Sequence, residues 1–237
     1  MKQLEIKCAE AVQKRFLPEL ESVVHAILGP CPTGKNWLAY QVDASTHSPV
    51  ILFPYPQAVS PGAYIPPVVK IEFGSLTDQR PTGTHIIAPL IAKLAPDAFT
   101  DFQAEVVALE IERTFWEKAT ILHAEYHRPT EKSLRDRFSR HYSDFAALWR
   151  HARGQAARRQ LNLLERVRTH KSRFFASKSA NYDTAKPGSF RLAPMESRLS
   201  ELRRDYAAME PMFLSPPPSF EQVLAILQEA EQNLNTT

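Results

Sequence analysis

In the stretch ERTFWEKATILHAEYHR, residues 112–128, apolar side chains three, four and seven apart fall on one side of a helix. Ile111, Phe115 and Leu122 line up there, and Lys118 falls inside the same stripe with Glu125 further along it. An ammonium buried without a partner is strongly destabilising, so such a lysine either snorkels to solvent or faces an anion, a carboxylate or a phosphate. Two further places supply carboxylates. On the strand-like PVVKIEFG, Lys70 and Glu72 share one face while Val69, Ile71 and Phe73 take the other. On a second amphipathic segment, Asp144 lies just outside the apolar arc of Phe138, His141, Tyr142, Phe145 and Leu148, where a carboxylate can point along a cleft. A lysine and carboxylates converging on one cleft suit magnesium-assisted phosphoryl or nucleotidyl transfer, in which cations offset the charge of a triphosphate. The same residues equally suit an ion-pair network without chemistry.

Other groupings of reactive residues lead elsewhere. GPCPTGKN has the spacing of a phosphate-binding loop ending at Lys35, but Asn36 replaces the hydroxyl residue that would hold magnesium, and its prolines remove backbone donors. HAEYH puts His123 and His127 one helical turn apart without a third zinc ligand, so both are expected on a helix surface. FGSLTD reads as a strand end turning into a loop. Cys8 and Cys31 form neither a disulfide framework nor a metal set, which fits a reducing cytoplasm. The N-terminal MKQLEIKCAEAVQKRF carries charges in every turn and lacks the apolar core of a signal peptide. No stretch approaches the ~20 apolar residues of a membrane span, so no membrane association is expected.

The elements that must position these residues follow from periodicity. With 237 residues and 43% hydrophobic content, the chain can bury a real core in one large or two small domains. Residues 2–28 read as helix with Pro18 as a break or restart, and NWLAYQVD, PVILFPYP and PVVKIEFG as short strands. From about Ala104 the pattern turns helical: the Lys118 helix ended by Pro129, then one with Phe138, Tyr142, Phe145 and Trp149 inward, then a basic helix. Another carries Leu199, Leu202, Tyr206 and Met209, and the last is opened by a Ser219/Gln222 capping box. The fold class expected is α+β, a small sheet domain over 1–103 followed by a helical domain over 104–237. The net charge is +3, but nine of the basic residues and only one acid, Glu165, fall between Arg150 and Lys178, a candidate anion-binding surface.

ERTFWEKATILHAEYHRP followed by RFSRHYSDFAAL closely resembles the AbiEii/AbiGii toxin family, nucleotidyltransferase-fold proteins of bacterial toxin-antitoxin and phage-defence systems. VVKIEFGSLTD, NYDTAKPGSFRL and RRDYAAMEPMF resemble further segments of that family in the same order, so the resemblance covers roughly residues 5 to 234. It implies transfer of a nucleoside monophosphate from a nucleoside triphosphate (NTP) to an RNA or protein acceptor, with magnesium as cofactor and a cognate antitoxin as partner. Lys118 resembles the family's active-site lysine, the binder of nucleotide phosphates, and Asp144 its late acidic residue. Glu72 would stand beside the metal-binding carboxylates of a polymerase-β-like sheet, as a catalytic or metal-binding group, with Lys70 and Arg113 near the nucleotide. Arg158, Arg159, Arg166 and Lys171 in the basic run would suit a tRNA-like or other RNA acceptor, contacting phosphates without reading sequence. The family's early Gly-Ser loop and Asp-x-Asp strand have no counterpart upstream of Glu72, where Asp43 is the nearest carboxylate. The chain therefore resembles the family's C-terminal two thirds. A separately encoded N-terminal half is one expectation; the alternative is a catalytically incomplete fragment that acts as a binding or interaction protein.

Overall fold

Helix α1, Lys2–Ala11, runs through one π turn, Val12–Phe16, straight into α2, Leu17–Leu28. Pro18 has no N–H to give and its ring would collide with the carbonyl four residues back. The wider turn, in which the Leu17 N–H reaches the Val12 carbonyl, accommodates the proline by bulging the helix, and α2 restarts with Pro18 in its first turn, the second of the two expected alternatives. At the far end Gly29, at φ 73°, carries the chain out of the helix. The GPCPTGK segment is a loop and a strand follows it, so it lacks the helix N-terminus that a phosphate loop requires.

The computed structural model describes residues 2–44, 46–57 and 64–236. They belong to two compact units, Met1–Thr77 and Asp78–Thr237. In the first, β1 (Ala39–Val42), β2 (Pro49–Pro54) and β3 (Val68–Glu72) form an antiparallel sheet in that order. Ile51 pairs with Ile71 and Leu52 with Lys70. Val12, Trp37, Leu38 and Ile51 are its buried core, and Ile71 and Phe73 pack against them as the alternation of β3 requires. Val69, expected on that face too, stays half exposed. The Glu21 carboxylate accepts the backbone N–H groups of Trp37 and Leu38 at 2.8 and 2.9 Å, tying α2 to the entry of the sheet.

The second unit opens with an antiparallel ribbon, β4 (Thr82–Ile87) and β5 (Ala104–Leu109), with Thr84 opposite Val107. This corrects the expectation that the chain is helical from Ala104: TGTHII and AEVVAL are rich in β-branched residues, and the helix begins only at Ile111. Residues 78–103 lie in this second unit. Six α-helices follow among the described residues: α3 (Ile111–Tyr126), α4 (Ser139–Arg150), α5 (Ala152–Ala157), α6 (Leu161–Phe174), α7 (Leu199–Ala208) and α8 (Phe220–Thr236). Helix α3 is central, packed on α4, α5 and α6, with Phe115, Trp116, Ala119 and Leu122 wholly buried. Phe115 meets Phe145 at 5.1 Å and stacks on Trp149 at 6.3 Å, which locks the α3–α4 pair. The corner between α4 and α5 closes on Gly154, where a Cβ would stand 1.8 Å from the Leu148 carbonyl oxygen. Ser219 and Gln222 cap α8 reciprocally, the Ser219 N–H donating to Gln222 Oε1 at 2.7 Å and the Gln222 N–H to Ser219 Oγ at 3.2 Å. Small antiparallel sheets followed by a helical assembly make the fold α+β.

Candidate functional site

The aromatic seam between α3 and α4 sets which polar side chains meet at its edge. Lys118 leaves α3 beside Trp116 and Ala119, which are buried, and its side chain is 18% exposed. On α4, His141 and Asp144 stand three apart and so share a face. The Lys118 ammonium meets both: Nζ donates to Asp144 Oδ2 at 2.5 Å and lies 3.0 Å from His141 Nδ1. The lysine in the apolar stripe is thus neither unpaired nor snorkelling freely.

His141 is held edge-on against Phe138, ring centres 4.8 Å apart. Burial, followed by the neighbouring positive charges of Lys118, Arg140, Arg135 and Lys171, pushes its pKa down to about 3. The imidazole is therefore neutral near neutral pH, and its Nδ1 accepts from the ammonium while Nε2 carries the proton. An ammonium has three N–H donors. Two are directed at Asp144 and His141, which leaves one uncommitted among the described residues.

Beneath this trio lies a buried ionic frame. Glu117, next to Lys118 in the chain, accepts from Arg113 Nε and Nη2 at 2.9 and 2.6 Å and pairs with Lys171 Nζ at 2.9 Å. Lys171 Nζ also donates to the Glu117 backbone carbonyl at 3.0 Å. Burial pushes the Glu117 carboxyl up, but Lys171 and Arg113 together outweigh it and hold the group below its ordinary range. For Lys171 the balance reverses, since burial lowers its pKa more than Glu117 raises it. Arg113 continues the frame, donating from Nη1 to Asp78 Oδ2 at 2.7 Å and to the Arg80 carbonyl at 2.9 Å. Arg166 grips Asp78 at 2.6 and 2.8 Å. The Arg166 hydrogen bonds, with those of Arg113, keep the Asp78 carboxyl far below its usual value.

Each residue singled out in the sequence has a definite place. Lys118 and Asp144 converge. Arg113 is fully buried, with its donors committed to Glu117, Asp78 and Arg80. Of the basic run, Lys171 is buried in the frame and Arg166 is bound to Asp78. Arg158 lies 3.2 Å above the Trp149 ring and donates to the Trp149 carbonyl, while Arg159 is exposed. Glu72 and Lys70 belong to the first unit, where Lys70 Nζ lies 2.5 Å from Glu72 Oε1 and 2.9 Å from Asp43 Oδ2. Glu72 and then Asp43 raise the Lys70 pKa. Glu72, expected as a metal-binding group, and Asp43, the nearest carboxylate upstream of it, are both turned onto an ammonium. Among the described residues no group of three His, Cys, Asp or Glu side chains is placed to hold a metal ion. As arranged, Asp43 and Glu72 do not fit the cofactor.

His123, expected on a helix surface, is instead buried: its Nε2 lies 3.1 and 3.0 Å from the Asn181 carbonyl and Thr184 Oγ1, and its Nδ1 accepts the Arg191 N–H at 3.1 Å. Sequence reasoning placed His141 in an apolar arc without a role, although its spacing of three from Asp144 was the available signal. It also passed over Glu117, Lys171 and Asp78 as a unit, because their pairing spans α3, α6 and the segment before β4 and leaves no periodic trace.

Over residues 6–226 the chain matches the family of the nucleotidyl transferase AbiEii toxin, type IV toxin-antitoxin system. The match spans nearly the whole chain, which therefore belongs to that family. Comparison with curated proteins and with solved structures returns no match.

Proposed function

With membership of this toxin family as its premise, we propose that the chain serves nucleotidyl transfer, moving a nucleoside monophosphate from an NTP to an RNA or protein acceptor, with Lys118 receiving the triphosphate and Asp144 beside it. The observation that carries this reading is the convergence of Lys118 and Asp144 from α3 and α4 on one partly buried edge. A lysine there has lost most of its water, so its attraction for phosphate is less screened than that of a surface lysine. The rigid frame under Glu117 keeps the α3 backbone still while charge accumulates above it.

The toxin acts in the cytoplasm and is countered by a cognate antitoxin. An RNA acceptor, tRNA-like in shape, would be met by exposed cations such as Arg159, while Arg158, Arg166 and Lys171 keep the helices beneath it in place. Magnesium, if the family's chemistry operates, needs carboxylates other than the Asp43 and Glu72 pair as they stand. That observation favours a second reading, in which the isolated chain binds a partner, an antitoxin or a separately encoded N-terminal half, and transfers nothing.

One experiment separates the two. Transfer of label from each of four α-labelled NTPs, with magnesium, to total RNA and to protein is measured for the chain and its Lys118→Ala variant. Label that appears with the chain and is lost in the variant supports transfer. No label with any nucleotide overturns it in favour of the binding reading.

A further inference from the structure

Asp144 and His141 hold the same ammonium by different means. Asp144 is a full negative charge at 2.5 Å, and it cancels much of the positive field that Lys118 could offer a phosphate. His141 accepts from the same nitrogen at 3.0 Å but carries no charge of its own. A neutral acceptor orients a lysine without neutralising it. The surroundings keep the imidazole in this state: burial first, and then Lys118 from α3, Arg140 on α4, Arg135 ahead of α4 and Lys171 from α6, all oppose a further positive charge. Edge-on packing against Phe138 fixes the ring plane, so Nδ1 stays aimed at Nζ.

We propose that His141 is a positioning residue for triphosphate binding: its uncharged Nδ1 holds the Lys118 ammonium at the edge of α3 and α4 while leaving its charge available to the phosphates. This rests on the reading of Lys118 as the phosphate-binding group. It goes further in assigning the orientation to a neutral side chain and in requiring that neutrality. Were His141 a carboxylate, the ammonium would be held at least as firmly but enclosed by two negative charges, and its attraction for an incoming phosphate would be weakened.

Asparagine and aspartate separate shape from charge, because both place an oxygen near the position of Nδ1 and they differ by one unit of charge. Binding of inorganic triphosphate and of ATP is measured by calorimetry in EDTA, so that no metal contributes, for the chain and for His141→Ala, His141→Asn and His141→Asp. The Lys118 ammonium is followed in parallel by nitrogen-15 NMR of lysine-labelled protein, with Lys118→Arg to assign its signal. His141→Ala is expected to weaken triphosphate binding and to shift or broaden the ammonium signal. His141→Asn restores both. His141→Asp keeps a well-held ammonium yet binds triphosphate roughly tenfold more weakly than His141→Asn.

Equal binding by the Asn and Asp variants, or full binding and an unmoved Lys118 signal in His141→Ala, overturns the proposal. Should the unaltered chain bind no triphosphate at all, the phosphate role of Lys118 fails. The ammonium signal then still decides whether His141 positions the lysine. Melting curves for each variant identify any that does not fold, and the Asn and Asp pair carries the decision if His141→Ala is among them.

Discussion

Lys70 in the first unit and Lys118 in the second each hold a carboxylate oxygen at 2.5 Å, yet they are suited to opposite tasks. Lys70 stands on an exposed strand with Glu72 on one side and Asp43 on the other, its side chain 40% exposed, so the trio carries a net negative charge and is screened by water. Lys118 is 18% exposed and has one carboxylate and one neutral imidazole, so its trio is neutral overall and sits among the further cations Arg135, Arg140 and Lys171. The first arrangement has no charge to spare for a phosphate. The second has an ammonium whose single counterion lies at the rim, where an anion can compete with it. A lysine with a carboxylate oxygen at the same distance therefore marks both places, and the count of carboxylates together with burial separates them.

The comparison is broken most directly by removing each lysine. Lys118→Met should reduce triphosphate binding, and any transfer, by about a hundredfold or more, the scale of losing a charged group aimed at phosphate. Lys70→Met should leave both within about a factor of two. Equal losses at both positions would show that the distinction drawn from burial is wrong.

A second difference is the ionic frame around Glu117, where Lys171 and Arg113 are themselves buried. Lys171→Met strands part of the Glu117 carboxylate charge and its backbone carbonyl, and should destabilise the second unit by about 3 kcal/mol, the range for breaking a buried pair. Hydrogen exchange over α3 and α6 reads this out, and unchanged protection there would remove the frame from the account. Glu72→Gln, which breaks an exposed pair, should shift protection in β2 and β3 by no more than about 0.5 kcal/mol.

Acid should sharpen the contrast at an intermediate scale. The folded pKa of His141 is about 3 against an ordinary 6.5, so between those values the unfolded chain binds a proton that the folded chain does not. Stability conferred by the neutral imidazole is complete above 6.5 and is lost as pH falls through that window. His123, pushed down to about 4 chiefly by burial, acts in the same sense. Denaturant midpoints of the second unit should fall between neutral pH and about pH 4, and His141→Asn should flatten part of that slope. Lys70 has a raised pKa, so its contribution is intact throughout this range and is lost only in strong alkali. A slope unaffected by His141→Asn would mean that the imidazole titrates alike in the folded and the unfolded chain.

Much of the architecture was legible because it is written in local periods. The stripe of Phe138, Tyr142, Phe145 and Trp149, the alternation of Ile71 and Phe73, and the Ser219/Gln222 cap each depend on residues close in sequence, and all appear in the structure. The misses share a physical cause. The β4–β5 ribbon joins segments separated by a non-repeating stretch, so its pairing had no local signature, and β5 abuts a strong helix pattern that masked it. Pro18 signalled a break or a restart, and which of the two occurs depends on the packing around it.

The family, the α+β class and the candidates Lys118 and Asp144 were determined by sequence alone, because the order of local patterns and words survives without coordinates. Tertiary structure decided which candidates meet. It brought Lys118 onto Asp144 and His141, withdrew Arg113 and Lys171 into the frame around Glu117, and turned Asp43 and Glu72 onto Lys70. A helical wheel assigns a side chain to a face, but the partner on the opposing helix, and hence the charge and water around it, follows from how whole apolar faces dock.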